Sequence, residues 1–344
     1  MPRYGLILAG STIQDQIAAA RLAEARGFHS VWVTEFFNQH GFVRLAAVAA
    51  QTERVLLGTG IAYAFMRTPL LAASAAMDID ELSGGRMILG LGSGTRSMNE
   101  KWYSVPFEHP PAPRMREAVR LVRAAFAAKD GGGLEFSGKY YNVSIPQFRR
   151  AGAARPTVPI YVAAVNRGMI RAAAAEADGL VGHPIYSRKY IADVVLPEIA
   201  GMQPPNPRDR LGRFEPAIYV ITAVSDDREQ ARREARAQIA FYYSTRLYHS
   251  VLAPHGWESI GEEIAQAFRR GDWKAMSAAV PDEMVDAIAA AGTPDEVRDR
   301  LKQWEGLSDH LLLYSPSIGM SAERIQENVT AITETVGAGP TPSP

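Results

Sequence analysis

The chain has 344 residues, no cysteine, and 37 basic side chains balanced by 37 acidic ones. This length allows two domains or a single large α/β barrel, and the lack of cysteine excludes disulfides, thiolate catalysis and zinc sites with thiolate ligands. A formal net charge of zero argues against a nucleic-acid binder, which needs a concentrated positive field.

Predicted strands alternate with predicted helices along the chain. A strand covered on both faces is apolar throughout, whereas an amphipathic helix repeats every three or four residues. The predicted strands are residues 4–9, 30–34, 54–62, 86–92, 159–164, 178–183, 217–223 and 310–314. In the first half their starts lie roughly thirty residues apart, which is the length of one β–α unit.

This alternation requires a parallel sheet, and eight strands favour closure into a (β/α)8 barrel, or TIM barrel. We expect one domain over residues 1–336. Two segments interrupt the alternation of strands and helices. Residues 129–158 are predicted to form a hairpin, and residues 240–292 are predicted to form a helical insertion between the seventh and eighth strands. Barrel active sites lie at the carboxyl ends of the strands, so the insertion is expected to cover the site as a lid.

No targeting or membrane signal is recognisable in the sequence. Met1 leads directly into a short strand-like run, and no apolar stretch reaches membrane-spanning length. The Pro- and Gly-rich tail, residues 337–344, is predicted to be disordered. We therefore expect a soluble, cytoplasmic protein without a membrane partner.

Motif searches exclude several classes of chemistry. The sequence has no GxxxxGK[ST] phosphate loop, no GxGxxG opening a helix and no HExxH, and its seven histidines lack metal-ligand spacing. Ser93 lies in Gly92-Ser93-Gly94, which is not the G-x-S-x-G of a nucleophile elbow. Hydrolase, phosphate-loop and metal-dependent chemistry are disfavoured, and no metal is expected.

The remaining candidates follow the predicted strands. Glu35, after the second strand, is either an acid/base or cofactor-binding carboxylate or a solvated loop residue. Glycine pairs lie in the third strand (Gly58 and Gly60) and at the end of the fourth (Gly92 and Gly94). They either admit a ligand close to the backbone or serve only the packing of strand and helix.

The turn Ala164-Val165-Asn166-Arg167-Gly168 follows the fifth strand and opens a helix. Free amides and the positive end of the helix dipole make such a turn an anion site, to which Arg167 adds charge. Alternatively, Asn166 is a helix cap and Arg167 is solvated.

His183 ends the sixth strand and is a catalytic candidate of second rank, because a lone histidine is more often structural. Several aromatic residues are predicted near the same rim, where a planar cofactor uses aromatic walls although many such residues serve packing. These are Phe36, Phe37, Tyr63, Phe65 and Trp102.

Four stretches form the most specific pattern of the chain. They are Gly58-Thr59-Gly60-Ile61, Arg67-Thr68-Pro69, Asp80-Glu81-Leu82-Ser83-Gly84-Gly85-Arg86 and Leu89-Gly90-Leu91-Gly92-Ser93-Gly94. Together with supporting matches from residue 4 to about residue 335, they resemble the bacterial luciferase-like superfamily of flavin- or deazaflavin-dependent oxidoreductases. The resemblance implies the eight-stranded barrel, an insertion after strand seven and a homodimer.

Residues 181–184, Tyr190 and residues 194–197 are most similar to the branch that uses the deazaflavin coenzyme F420, with FMN as the alternative cofactor. Members of this branch often have a non-proline cis peptide in the third strand, which corresponds to the Gly60–Ile61 bond here. The cofactor-binding positions that the resemblance implies are Glu35, Gly60, Ile61, Gly92, Ser93, Gly94, Ala164, Val165, Asn166, Arg167 and Gly168.

The chain departs from the characterised subgroups at their proton donors. F420-dependent sugar-phosphate dehydrogenases have Asp-His after strand two, where this chain has Glu35-Phe36, and a carboxylate where Thr95 stands. Reductase-like members carry an acid in strand one, where Ile7 stands here. The substrate of neither subgroup is therefore carried over.

Our hypothesis is an oxidoreductase that transfers a hydride between F420 and a small organic substrate in the barrel mouth. Glu35 is the first acid/base candidate, and His183 and Tyr63 follow it. One alternative is an FMN-dependent monooxygenase of the same fold with a separate reductase. The other is a barrel that binds a flavin or deazaflavin without turnover.

Overall fold

Eight parallel strands close into a barrel in the computed structural model, which describes residues 2–10, 12–108, 110–150, 152–202 and 214–337. The strands of these residues are β1 (Arg3–Ile7), β2 (Ser30–Val33), β3 (Leu56–Thr59), β4 (Ala62–Tyr63), β5 (Met87–Gly92), β6 (Leu134–Ser137), β7 (Asn142–Ile145), β8 (Ile160–Ala164), β9 (Gly179–Gly182), β10 (Glu215–Val224), β11 (Ala289–Gly292) and β12 (His310–Tyr314). The ring runs β1-β2-β3-β5-β8-β9-β10-β12 and closes where β12 pairs with β1. The predicted (β/α)8 fold is confirmed.

Helices pack around the ring, and local sequence sets their ends. They are α1 (Ile13–Ala25), α2 (Gly41–Ala49), α3 (Pro69–Leu82), α4 (Pro111–Ala127), α5 (Arg167–Glu176), α6 (Arg188–Tyr190), α7 (Leu196–Ala200), α8 (Arg228–Tyr243), α9 (Glu258–Arg269), α10 (Trp273–Ala278), α11 (Asp282–Ile288), α12 (Pro294–Lys302) and α13 (Ala322–Val336). Thr12 and Asp15 form a capping box at α1, and the Thr68 side chain caps α3 ahead of Pro69. Across the described ranges, every helix is too short or too polar to cross a membrane.

The amino-terminal end of the barrel is filled by side chains. Trp32 is fully buried and packs against Tyr161. The Glu215 carboxylate bonds with the Tyr161 hydroxyl (2.7 Å), Arg3 (2.8 Å) and His310 Nδ1 (2.8 Å). The candidate site residues belong to the opposite end of the barrel, where the strands finish.

Both predicted interruptions of the alternation correspond to distinct substructures. The hairpin is confirmed, since β6 and β7 pair antiparallel. Between β10 and β12 the chain forms α8 to α11, then β11 along the end of β10, then α12. The insertion predicted from residue 240 starts inside the first of these helices, whose buried residues repeat every four positions. Residues 338–344 of the predicted disordered tail lie outside the described residues.

Candidate active site

The third barrel strand breaks at the predicted position. The peptide bond between Gly60 and Ile61 is cis, as expected, and separates β3 from β4. The segment is held from two sides: the Tyr219 hydroxyl donates to the Gly60 carbonyl (2.6 Å), and the Glu35 amide donates to the Ile61 carbonyl (3.2 Å). Because both carbonyls are bonded, the backbone at this point of the mouth has a defined position.

Glu35 lies beneath this segment with 6 % of its surface exposed. Its two carboxylate oxygens accept hydrogen bonds from the Arg67 guanidinium at 2.5 and 2.7 Å. They also accept from the Tyr63 amide (2.9 Å) and the Gly41 amide (3.3 Å). With both oxygens engaged, this carboxylate is arranged to hold the segment after the cis bond. Arg67 belongs to the family pattern found in the sequence, but its pairing with Glu35 was not predicted.

Glycine is favoured at two positions at the end of β5, for two different steric reasons. A Cβ on Gly92 would lie 2.6 Å from the Ile61 side chain, so glycine there lets Ile61 pack over the end of the strand. Gly94 has a φ of +63°, in the left-handed region. Between them, the Ser93 carbonyl accepts from the buried Asn99 amide at 2.9 Å, and the Ser93 hydroxyl bonds to the Gly94 carbonyl at 3.0 Å.

The turn from Ala164 to Gly168 connects β8 to α5 at the same end of the barrel. The Tyr186 and Tyr190 hydroxyls donate to the Ala164 and Val165 carbonyls, each at 2.8 Å. The Asn166 side chain caps the helix by accepting from the Met169 amide. Arg167 is exposed and forms an ion pair with Glu198. The helix cap is thus present in this turn, and the Arg167 guanidinium already has a carboxylate partner.

His183 and Tyr63 border the mouth from different strands. The His183 ring packs against the Tyr242 and Tyr248 rings at centroid distances of 5.0 and 4.6 Å. Burial lowers the pKa of His183 to about 3, so the ring is neutral at physiological pH. Burial, with smaller effects from nearby groups that include Glu35, raises the pKa of the Tyr63 hydroxyl.

Several tyrosines of this end were not predicted as site residues. The Tyr242 hydroxyl, at the end of α8, donates to the Tyr314 hydroxyl at 3.3 Å, and Tyr248 follows in the next helical turn. Tyr242 and Tyr314 are 72 residues apart, so no local pattern relates them. The one sequence signal was the aromatic run from residue 241 to residue 243.

The predicted aromatic residues divide into two groups. Phe36, Phe37 and Trp102 are 38, 62 and 47 % exposed, and their rings contact each other at centroid distances of 4.6 to 5.5 Å. Phe65 is instead buried, with the Arg114 guanidinium over its ring. The first three therefore form an apolar surface on the loops after β2 and β5, whereas Phe65 belongs to the packing.

Comparison with known proteins gives a consistent family and fold. A family model described as luciferase-like monooxygenase matches residues 3–311. An uncharacterized protein of Mycobacterium tuberculosis is 38 % identical over 89 % of this chain and 92 % of that protein. The 5,10-methylenetetrahydromethanopterin reductase of Archaeoglobus fulgidus is 30 % identical over 82 % of this chain and 83 % of that enzyme.

Among solved structures, the coenzyme F420 dependent tetrahydromethanopterin reductase of Methanopyrus kandleri has a TM-score of 0.80 and 24 % identity. The alignment covers 97 % of this chain and 98 % of that one. At this identity the likeness concerns the fold, and it shows the same barrel over nearly the whole length.

Proposed function

Because the chain belongs to the luciferase-like monooxygenase family, we propose that it uses coenzyme F420 to transfer a hydride to or from a small organic substrate. The family consists of oxidoreductases that act on small molecules, and this chain is an oxidoreductase. One observation carries the finer proposal. The Gly60–Ile61 segment is pinned by Glu35 and Tyr219 beside Gly92, and it presents a firm apolar surface on which a planar ring system can lie.

The residues around the mouth fit such a cofactor. Gly60 and Ile61 would back the ring, and residues 92–94 would border it with little side-chain bulk. The amino-terminal end of α5, with Asn166 as its cap and Arg167 beside it, would hold a phosphate group. The bound deazaflavin would supply the hydride, while the protein positions the substrate and manages the proton.

The site residues then take distinct roles in this proposal. Glu35 binds and orients the cofactor segment through its contacts to the Ile61 carbonyl and the Tyr63 amide. Tyr63 remains a candidate for the acid/base role, as a protonated phenol whose pKa is raised by burial. His183 is a neutral imidazole whose Nδ1 accepts from the Ile185 amide at 3.4 Å, so Nε2 carries the hydrogen and serves as a donor.

Two alternatives follow from the same fold. An FMN-dependent monooxygenase, supplied by a separate reductase, agrees with the name of the family model. The second alternative is a barrel that binds the cofactor without turnover. It is supported by the absence of the proton donors that the characterised subgroups have. The cofactor decides between the first two classes, because a deazaflavin does not activate oxygen as a flavin does.

Titration of the protein with oxidised F420 and with FMN, followed by tryptophan fluorescence, tests the cofactor assignment. We expect F420 to quench at lower concentration than FMN. If FMN alone binds, the monooxygenase replaces our proposal, and if neither quenches at micromolar concentration, the assignment fails. Binding of F420 without oxidation of its reduced form by any of a panel of carbonyl, imine and alkene acceptors would favour the non-catalytic barrel.

A homodimer is part of the proposal. Val43 on α2 and Leu71 on α3 are 59 and 62 % exposed, and these two helices lie next to each other. Their burial in an interface would remove that surface from water. Light scattering after gel filtration should give twice the mass of the chain, and a monomer mass would contradict it.

A further inference from the structure

Within the described part of the chain, one tyrosine hydroxyl is buried without a hydrogen-bond partner. It belongs to Tyr103, on the loop between β5 and α4. The Tyr103 ring is only partly covered, whereas its hydroxyl oxygen is shielded from solvent, so the hydroxyl points inward. Other tyrosines of the mouth bond within the protein, since Tyr219 donates to the Gly60 carbonyl and Tyr242 donates to Tyr314. Buried polar groups are normally paired, so the hydroxyl of Tyr103 needs an explanation.

Ring contacts place Tyr103 beside the segment that is proposed to carry the cofactor. Its ring packs against the ring of Tyr63 at a centroid distance of 5.7 Å. Tyr63 ends the short strand that follows Ile61, and it also borders Gly94, because a Cβ built on Gly94 would lie 3.3 Å from the Tyr63 ring. Tyr103 is therefore one ring away from the backbone that is proposed to back and border a planar ring system.

The Tyr103 hydroxyl is an uncharged hydrogen-bond donor. Burial raises its pKa, the negative charge of Glu35 raises it further, and the positive charge of Arg67 lowers it by less. Each carboxylate oxygen of Glu35 already accepts two hydrogen bonds, from Arg67 and from a backbone amide. This ion pair thus has little capacity left for Tyr103, and a further acceptor has to come from elsewhere.

A second buried atom of the same loop also lacks a partner. The Asn99 side chain is fully buried, and its amide nitrogen donates to the Ser93 and Thr95 carbonyls at 2.9 and 2.8 Å. Its Oδ1 atom is buried without a hydrogen-bond partner among the described residues. Rotation of the amide by a half turn would place an oxygen against those two carbonyls, so it gives no relief. The present arrangement of the loop therefore leaves two polar groups unsatisfied, on Asn99 and on Tyr103.

The backbone around Tyr103 has the features of a segment with a second conformation. Met98–Trp102 forms a π-helical turn, which is rare and is found often at functional sites. Ser104 has a φ of +56°, the only positive φ of a non-glycine residue among those described. Lys101, Trp102 and Ser104 are exposed. A shift of residues 102–104 would therefore disturb little packing, and it would let a ligand reach the buried hydroxyl.

We propose that Tyr103 is a cofactor-binding residue, whose hydroxyl donates to a carbonyl oxygen at the edge of the planar ring system, and that residues 102–104 shift when the ring binds. The inference rests on the proposed function and adds a residue that contacts the ring itself. Flavins and deazaflavins share such ring carbonyls, so the contact is expected with either cofactor. It accounts for a hydroxyl that the protein buries and leaves unpaired.

The test separates the ring from the phosphate by using riboflavin, which has the flavin ring without a phosphate group, beside FMN and oxidised F420. Each ligand is titrated into wild type, Tyr103→Phe and Tyr243→Phe, and binding is followed by tryptophan fluorescence. Tyr243→Phe is the matched control, because the buried hydroxyl of Tyr243 donates to the Ile185 carbonyl at 3.0 Å. We expect Tyr103→Phe to bind all three ligands about tenfold more weakly than wild type, and the control to bind them like wild type.

Thermal melts give a second readout, in which the two variants should differ. Loss of an unpaired buried hydroxyl removes no hydrogen bond, so Tyr103→Phe should melt at the wild-type temperature or above it, whereas Tyr243→Phe should melt below it. A midpoint of Tyr103→Phe as low as that of Tyr243→Phe would show that the hydroxyl is paired without a ligand, and it would overturn the inference. Unchanged affinity of Tyr103→Phe for the ligands that bind wild type would overturn it equally. Failure of all three ligands to bind wild type is a separate result, which removes the proposed function.

Trypsin tests the shift of the loop through Lys101, the only lysine of residues 93–105 and an exposed one. The rate of cleavage after Lys101 is measured by mass spectrometry of the fragments, with and without a saturating concentration of the ligand that binds most tightly. We expect the bound ring to slow this cleavage in wild type and to have a smaller effect in Tyr103→Phe. Equal rates with and without the ligand in wild type would contradict the shift.

Discussion

At the scale of single residues, the environment of Glu35 sets its role. A carboxylate that accepts two hydrogen bonds from Arg67 and two from backbone amides has its charge satisfied inside the protein. Breaking one side of a buried ion pair leaves the other charge uncompensated, which is strongly destabilising. Through one set of contacts, Glu35 stabilises this part of the fold and holds the segment on which we propose that the cofactor lies.

We predict that Glu35→Gln lowers the free energy of unfolding by roughly 2–4 kcal/mol and weakens F420 binding, because Arg67 loses its counter-charge and the Tyr63 amide loses a charged acceptor. Urea unfolding and the fluorescence titration measure the two effects. Glu100→Gln is the matched control, since Glu100 pairs with Arg96 on the surface, where such pairs contribute little. Equal losses in both variants would show that the Glu35 pair has no special role.

At the scale of elements, the ends of β3 and β5 form one unit. The side chain of Ile61 occupies the space that a Cβ on Gly92 would need. Neither strand end can therefore change without the other, although the two lie in separate stretches of the family pattern. The glycine is required by the packing of Ile61, and that packing in turn shapes the surface proposed to carry the cofactor.

Gly92→Ala should displace Ile61 and weaken F420 binding at least tenfold, because a Cβ 2.6 Å from a methyl group forces the side chain to move. The fluorescence titration measures this change. Gly201→Ala serves as control: that glycine, at the end of α7, has a φ of −71°, and a methyl group added there would lie 3.4 Å from its nearest neighbour, the Pro197 carbonyl oxygen. If Gly92→Ala binds F420 as wild type does, the proposed contact surface is wrong.

At the scale of the whole molecule, Glu215 joins strands from opposite ends of the chain. It lies at the start of β10 and bonds to Arg3 of β1, Tyr161 of β8 and His310 of β12. Burial alone would raise the pKa of Glu215, but His310, Tyr161 and Arg3 outweigh it and bring the pKa to about 2. The contacts that close the amino-terminal end of the barrel thus depend on the charged form of the Glu215 carboxylate.

A carboxyl whose pKa is lower in the folded than in the unfolded state stabilises the fold above its ordinary pKa, and this contribution is lost as pH falls towards the folded value. We predict that wild type loses roughly 2–3 kcal/mol between about pH 5 and pH 2 through Glu215. Glu215→Gln should be less stable at pH 7 and show a shallower decline in acid. Urea unfolding across this range measures both, and parallel pH curves for the two proteins would contradict the assignment.

The local pattern of apolar residues was sufficient to place the eight strands, because a strand covered on both faces is apolar throughout wherever it lies in a barrel. The hairpin and the cis bond at Gly60–Ile61 were likewise predicted, the second from the family pattern. The predicted insertion starts inside α8, because the buried residues of that helix repeat every four positions and give no local sign of where an insertion begins.

The sequence by itself determined the order of strands and helices, the barrel class and the residues that follow each strand. Only the tertiary structure decided which of those residues act together. Glu35 meets Arg67 across 32 residues and Tyr219 meets Gly60 across 159, and no local pattern encodes such distances. Closure of the ring creates these neighbours by bringing the ends of all eight strands to one mouth.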